Sequence, residues 1–252
     1  MASSRLTDPR LTRLIPNAIT ITALCAGLSS IRFALVGRWE LAVSLILVAA
    51  ILDAMDGRVA RFLRADSPFG AELDSLSDFI SFGVAPAVVL YLYSLHFWQG
   101  IGWAVTLFFA TCMALRLARF NTHMMEDQPE WTKRFSVGVP APAGALLGLM
   151  PLMITFACEE DSSHIPFFFA FSLCSSGLLM ISRIPTYVLK NIRIPHMFVR
   201  LLLMMVAIFM AAFFTAPWWT ISFIAIAYLF SIPVSGFSYK CKHKQAASVG
   251  VS

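Results

Sequence analysis

Apolar runs of about 20 residues recur from one end of this chain to the other, long enough to cross the hydrocarbon core of a bilayer. Eight such runs are read at 14–36, 40–63, 71–95, 98–120, 137–157, 165–184, 197–215 and 217–238. Hydrophobic residues make up 58% of the chain and charged ones 13%, where a soluble domain carries about 25% charge. A water-soluble fold of this size cannot hide that much apolar surface. The expected fold is therefore all-α and integral to the membrane, a polytopic helical bundle whose backbone groups are satisfied within each helix. Pro86, Pro140, Pro142, Pro151 and Pro233 fall inside or beside these runs and are tolerable where neighbouring helices re-satisfy the backbone.

The gaps between runs are short except at 121–136 and 185–196, which leaves no room for a soluble domain. Residues 1–252 are read as one membrane domain, with an N-terminal segment 1–13, a bundle 14–238 and a tail 239–252. Arg5, Arg10 and Arg13 precede the first run. That run is too long for the apolar part of a cleaved signal peptide, so it reads as a first membrane helix.

Basic residues set the expected orientation. With the N-terminus cytoplasmic and eight spans, 17 of the 19 Lys and Arg fall on the cytoplasmic side, and only Arg32 and Arg38 fall opposite. Both termini are then cytoplasmic. The net charge of +5 is thus a topology signal, and no nucleic-acid partner is expected. The five cysteines show no C-x-x-C pairing and the five histidines no ligand spacing, so the cysteines read as small hydrophobes.

Against this apolar background stand Asp53, Asp56, Asp74 and Asp78. A charge at mid-membrane costs about 2.5–3.5 kcal/mol even on insertion scales. Asp53 and Asp56 are three apart and Asp74 and Asp78 four apart, so each pair shares a helical face. Gly57 and Ala60 extend the first face, and Asp66, Ser67, Pro68 and Gly70 mark the turn between the helices. At 1.5 Å per residue, Asp56 and Asp53 lie roughly 10 and 15 Å back from Leu63, and Asp74 and Asp78 roughly 6 and 12 Å on from Gly70. Antiparallel neighbours therefore bring both pairs to similar depth. Four facing carboxylates cannot all stay ionised without cations, and hard oxygen ligands suit Mg²⁺ or Mn²⁺. Two ions on four aspartates suit displacement at phosphorus. Spacing alone also allows an ion or proton relay in a transporter, or a structural cluster with Arg58 and Arg61.

The pattern reads Asp53-x2-Asp56-Gly57-x2-Ala60-Arg61-x8-Gly70-x3-Asp74-x3-Asp78. It resembles, without a departure, the signature of the CDP-alcohol phosphatidyltransferase family. The resemblance implies a six-helix core, here with two further membrane helices, a site open to the cytoplasmic leaflet, CMP as leaving group and a homodimer. The segments LDSLSDFISFGVAPA (73–87), RLARFN (116–121), GVPAPA (138–143) and SRIPTYVLKNIRIP (182–195) resemble the membrane-embedded, serine-using branch of that family. Glycerol-phosphate-using relatives usually carry Lys after the last aspartate, and inositol-type relatives Arg. Phe79 stands there instead, which fits an acceptor without a phosphate. CDP-diacylglycerol and L-serine are the implied substrates, with choline, glycerol phosphate or an inositol as alternative acceptors. A bacterial cytoplasmic (inner) membrane is the natural setting.

By resemblance, Asp53, Asp56 and Asp74 are metal ligands, and Asp78 is both ligand and general base. Gly57 admits the cytidine nucleotide, Arg61 binds its phosphates, and Ser67 contacts the nucleotide. Asn17, in a Pro-Asn pair like the family's, is either a diphosphate contact or a helix cap. Arg116, Arg119 and Asn121 either clamp the acceptor carboxylate or anchor the helix end at the cytoplasmic face. Arg183, Lys190 and Arg193 are headgroup contacts or leaflet anchors.

Overall fold

The computed structural model describes residues 9–63, 67–123, 135–160, 162–182, 185–187 and 199–232. Residues 1–8, Arg64, Lys133, Arg134, Arg183, Lys190, Arg193 and the tail 239–252 lie outside them.

Every apolar run becomes a helix. In chain order these are α1 (Pro9–Leu35), α2 (Trp39–Leu63), α3 (Pro68–Asp78), α4 (Ala85–Tyr93), α5 (Gln99–His123), α6 (Ala141–Cys158), α7 (Pro166–Ile181), α8 (Val199–Thr215) and α9 (Pro217–Ile232). A π-helical segment, Phe79–Val84, joins α3 to α4, and a 3₁₀ turn, Leu95–Trp98, precedes α5. Because α3 and α4 form one continuous rod, Pro68–Tyr93, the described helices amount to eight rods. Among the described residues, four stretches are long and apolar enough to cross a membrane: Leu14–Leu35, Pro68–Tyr93, Leu95–Thr122 and Ala141–Cys158. The chain is a polytopic helical membrane protein.

The π segment departs from the regular helix expected over 71–95. Its cause is Pro86, which has no N–H for the carbonyl of Phe82 and whose ring clashes with a regular turn. The ladder widens, and the N–H of Ala85 reaches back five residues to Ile80.

A second departure precedes α6. The run expected to begin at 137 starts its helix at Ala141, and Phe135–Val137 forms a short strand, β1. β1 pairs antiparallel with β2 (Pro185–Tyr187), in the register Phe135↔Tyr187. Gly138 turns the chain from β1 toward α6 with φ +83°, and a Cβ there would press on the carbonyl oxygens of Met180 and Ser182 at 2.6 and 2.9 Å. Pro140 caps α6 in an extended conformation no helix interior adopts.

In the core, α1 lies along α2, and both α5 and α6 pack on α7. Small residues bring the rods close. Gly27 of α1 sits directly on Ser81 of the π segment. Hydroxyls then tie the rods across the interfaces. Ser77 donates to the carbonyl of Thr20 at 3.3 Å and Ser81 to that of Ala23 at 3.4 Å. Ser176 donates to the carbonyl of Gly144 at 2.6 Å. In apolar surroundings a hydroxyl left without a partner is costly, so these bonds also fix the register of the rods. By contrast, α8 exposes Leu203, Met204, Met205, Ile208 and Phe209.

Candidate active site

Three rods build the acidic centre. α2 supplies Asp53 and Asp56, α3 supplies Asp74 and Asp78, and α1 crosses behind both. One carboxylate oxygen from each of Asp53, Asp56 and Asp74 falls within 4.8 Å of the others. The carboxyl group of Asp78 comes into hydrogen-bonding contact with that of Asp53. Asp53, Asp56 and Asp74 thus converge, and Asp78 joins them through Asp53 while standing outside the group of three. Asp56 is buried, and Asp53, Asp74 and Asp78 are half-buried. Carboxylates this close repel one another strongly unless cations or protons stand between them. Their number, hardness and spacing fit a divalent metal centre.

The structure does not bear out the structural ion-pair alternative for Arg61. This side chain turns back on its own helix, its Nε donating to the carbonyl of Gly57 at 2.9 Å, and Arg58 is exposed. The buried carboxylate of Asp56 takes its hydrogen bond from a neutral group, the hydroxyl of Thr20, at 2.7 Å.

Open space adjoins the aspartates on the side of Gly57. A Cβ built there meets nothing within 4 Å. Gly57 and the neighbouring guanidinium of Arg61 therefore line a surface free to receive a ligand.

A second group of expected contacts comes together at the start of α3. Ser67 is the N-cap, its hydroxyl oxygen accepting from the N–H of Gly70 at 3.1 Å, and Pro68 occupies the first turn. Its hydroxyl proton remains available to a ligand. A Cβ on Gly70 would sit 3.0 Å from the amide oxygen of Asn17 and 3.1 Å from the hydroxyl of Ser67. Asn17 itself lies well inside α1, which begins at Pro9. Asn17 therefore does not cap α1, and its amide oxygen faces Gly70 in the first turn of α3.

The three acceptor candidates separate. Arg116 lies within electrostatic range of Asp53 and Asp78. Its Nε donates to the carbonyl of Val139 at 2.8 Å, while Nη1 is buried without a hydrogen-bond partner. Arg119 instead closes the α5–α7 interface, its Nη2 donating to the carbonyl of Ile181 at 2.7 Å. Asn121 pairs with Ser75, its amide donating to the Ser75 hydroxyl at 3.1 Å. That contact braces α3 beside Asp74.

Two site neighbours had no sequence signal. Thr20 looks like any threonine in an apolar helix, although it lies one turn after Asn17. Tyr228, on α9, lies within electrostatic range of Arg116, and nothing in its surroundings in the sequence announces this.

Similarity to known proteins agrees with the geometry. The family model described as CDP-alcohol phosphatidyltransferase matches residues 13–188, and a second, CDP-alcohol phosphatidyltransferase 2, matches residues 198–233. A Mycobacterium leprae protein named CDP-diacylglycerol–serine O-phosphatidyltransferase is 43% identical over 225 residues, covering 88% of this chain and 74% of its own length. Proteins of the same name from Helicobacter pylori and Bacillus subtilis are 36% and 33% identical, each over 68% of this chain and over 70% and 88% of their own lengths. With a family model spanning the whole four-aspartate centre, this chain belongs to the CDP-alcohol phosphatidyltransferase family.

Proposed function

We propose that the chain transfers the phosphatidyl group of CDP-diacylglycerol to the hydroxyl of L-serine, giving phosphatidylserine and CMP. The observation that carries this reading is the convergence of Asp53, Asp56 and Asp74 within 4.8 Å, with Asp78 against Asp53 and Arg116 beside both. Relatives bearing the serine transferase name over most of this chain support the choice of acceptor.

Asp53, Asp56, Asp74 and Asp78 are the residues that would hold two divalent ions, Mg²⁺ or Mn²⁺. Such ions, when bound, polarise the diphosphate and balance the charge on departing CMP. The remaining work falls to the chain. Gly57 leaves room for the nucleotide, and Arg61, Ser67 and Asn17 supply donors to its phosphates and sugar. Arg116 offers its unpaired Nη1 to the serine carboxylate, which places the serine hydroxyl toward Asp78. Asp78 accepts the hydroxyl proton as the oxygen attacks the lipid-side phosphorus and the bond to CMP breaks. A carboxylate is a weak base for an alcohol, so holding serine in line contributes much of the acceleration. Phe79, where a cation would meet an acceptor phosphate, favours an unphosphorylated acceptor.

The eight rods are taken as eight spans of one membrane domain, with both termini cytoplasmic in a bacterial inner membrane. CDP-diacylglycerol enters sideways with its acyl chains in the leaflet. The apolar surface of α8 faces lipid or the second chain of a homodimer.

An acceptor panel tests the reading. Purified protein with CDP-diacylglycerol and Mn²⁺ should release CMP with serine and release little with choline, inositol or glycerol phosphate. Release with one of those in place of serine overturns the acceptor. Cation flux in proteoliposomes without CDP-lipid would favour a transporter.

A further inference from the structure

We propose that Thr20 is a positioning residue for the metal centre, fastening the Asp56 carboxylate to α1. This rests on the two-cation reading of the aspartates given above. Thr20 is 5% exposed, as is Asp56. The threonine hydroxyl has one proton and two oxygens within reach, Asp56 Oδ2 at 2.7 Å and the Pro16 carbonyl at 3.0 Å. The charged and nearer acceptor wins it. In an interior with little water, that bond fixes the plane of the carboxylate, and each oxygen keeps a lone pair for a cation.

The anchoring extends beyond one bond. Ser77, next to Asp78, donates to the backbone carbonyl of Thr20 at 3.3 Å. Residue 20 therefore touches both acidic rods, α2 through its hydroxyl and α3 through its carbonyl. Asn17 lies on the same face of α1 one turn earlier and meets the start of α3 at Gly70. α1 contributes no carboxylate to the centre, yet it sets where the carboxylates of its two neighbours stand. Groups that orient a metal ligand in this way typically alter metal affinity 10–100-fold when removed.

The test is Mn²⁺ affinity of the purified detergent-solubilised protein, read by electron paramagnetic resonance without substrate. T20V keeps the shape and removes the hydroxyl; it should weaken Mn²⁺ binding about tenfold or more. T20S keeps the hydroxyl and should stay within about threefold of the wild type. S81A removes a hydroxyl-to-carbonyl bond between the same two rods one turn beyond the aspartates and should leave Mn²⁺ affinity unchanged. If T20V does not purify folded, T20C, of similar size and a weak donor, takes its place with the same expectation. Unchanged Mn²⁺ affinity in folded T20V or T20C, even with a lowered unfolding temperature, makes Thr20 a mere helix clamp and overturns the proposal. Failure of the wild type to bind Mn²⁺ would instead strike the metal reading on which it rests.

Discussion

Asp53 of α2 and Asp78 at the end of α3 bring their carboxyl groups into hydrogen-bonding contact across two antiparallel rods. Two ionised carboxylates do not rest against each other unaided, so a cation or a proton belongs between them. Of the aspartates, Asp78 acts most strongly on Arg116, and in the proposed mechanism both face the acceptor. D78N should therefore lower kcat by about a thousandfold or more while the protein still binds a CDP nucleotide. Turnover near the wild-type rate would remove Asp78 as the base.

Gly57 tests where the nucleotide lies. A Cβ there meets no atom of a neighbouring element within 4 Å, so G57V should fold and keep an unfolding temperature close to the wild type's. It should raise KM for CDP-diacylglycerol about tenfold, equivalent to about 1.4 kcal/mol of lost binding. A variant with unchanged KM would put the nucleotide elsewhere.

Arg116 separates the two substrates. One nitrogen of its guanidinium is fixed on the Val139 carbonyl and another is left unpaired in a buried setting. R116Q should raise KM for serine by about a hundredfold, the cost of leaving a bound carboxylate without its charge partner, and change KM for CDP-diacylglycerol little. R116K should not rescue it, because an ammonium cannot hold the carbonyl and reach the carboxylate together. Equal effects on both substrates would contradict an acceptor role.

Chelation and thermal unfolding test the metal centre with and without turnover. Stripping divalent ions with EDTA should abolish CMP release, and Mg²⁺ or Mn²⁺ should restore it. A cation that binds only the folded chain adds about 2.7 kcal/mol at 100 times its Kd, so Mn²⁺ should raise the unfolding temperature. D53N and D74N, which remove two of the converging ligands, should lose most of that rise. A rise of the same size in both variants would place the ions outside the cluster.

Much of this site was legible because membrane solvent is strict. A charge inside an apolar run has few bland explanations, and i, i+3 and i, i+4 spacing says which carboxylates share a face. Asp53, Asp56 and Asp74 accordingly converge, with Asp78 against Asp53. Other features escaped because they depend on partners distant in sequence. Thr20 matters only because Asp56 packs beside it, and a hydroxyl in a membrane helix ordinarily bonds its own backbone. Arg116 and Arg119 look equivalent on one helix end, yet one faces the aspartates and the other is spent on the Ile181 carbonyl. The π segment after Asp78 was foreshadowed by Pro86, but proline alone does not tell a kink from a widened turn. The β1–β2 pairing joins short segments about 50 residues apart, too brief for any periodicity to register.

The fate of the serine oxygen tests the central claim most directly. L-serine carrying ¹⁸O in its hydroxyl should be incubated with the purified protein, CDP-diacylglycerol and Mn²⁺, and both products analysed by mass spectrometry. Attack of that hydroxyl on the lipid-side phosphorus places all of the label in the phosphoester of phosphatidylserine and none in CMP. Label in CMP, or a phospholipid product without it, would contradict the account.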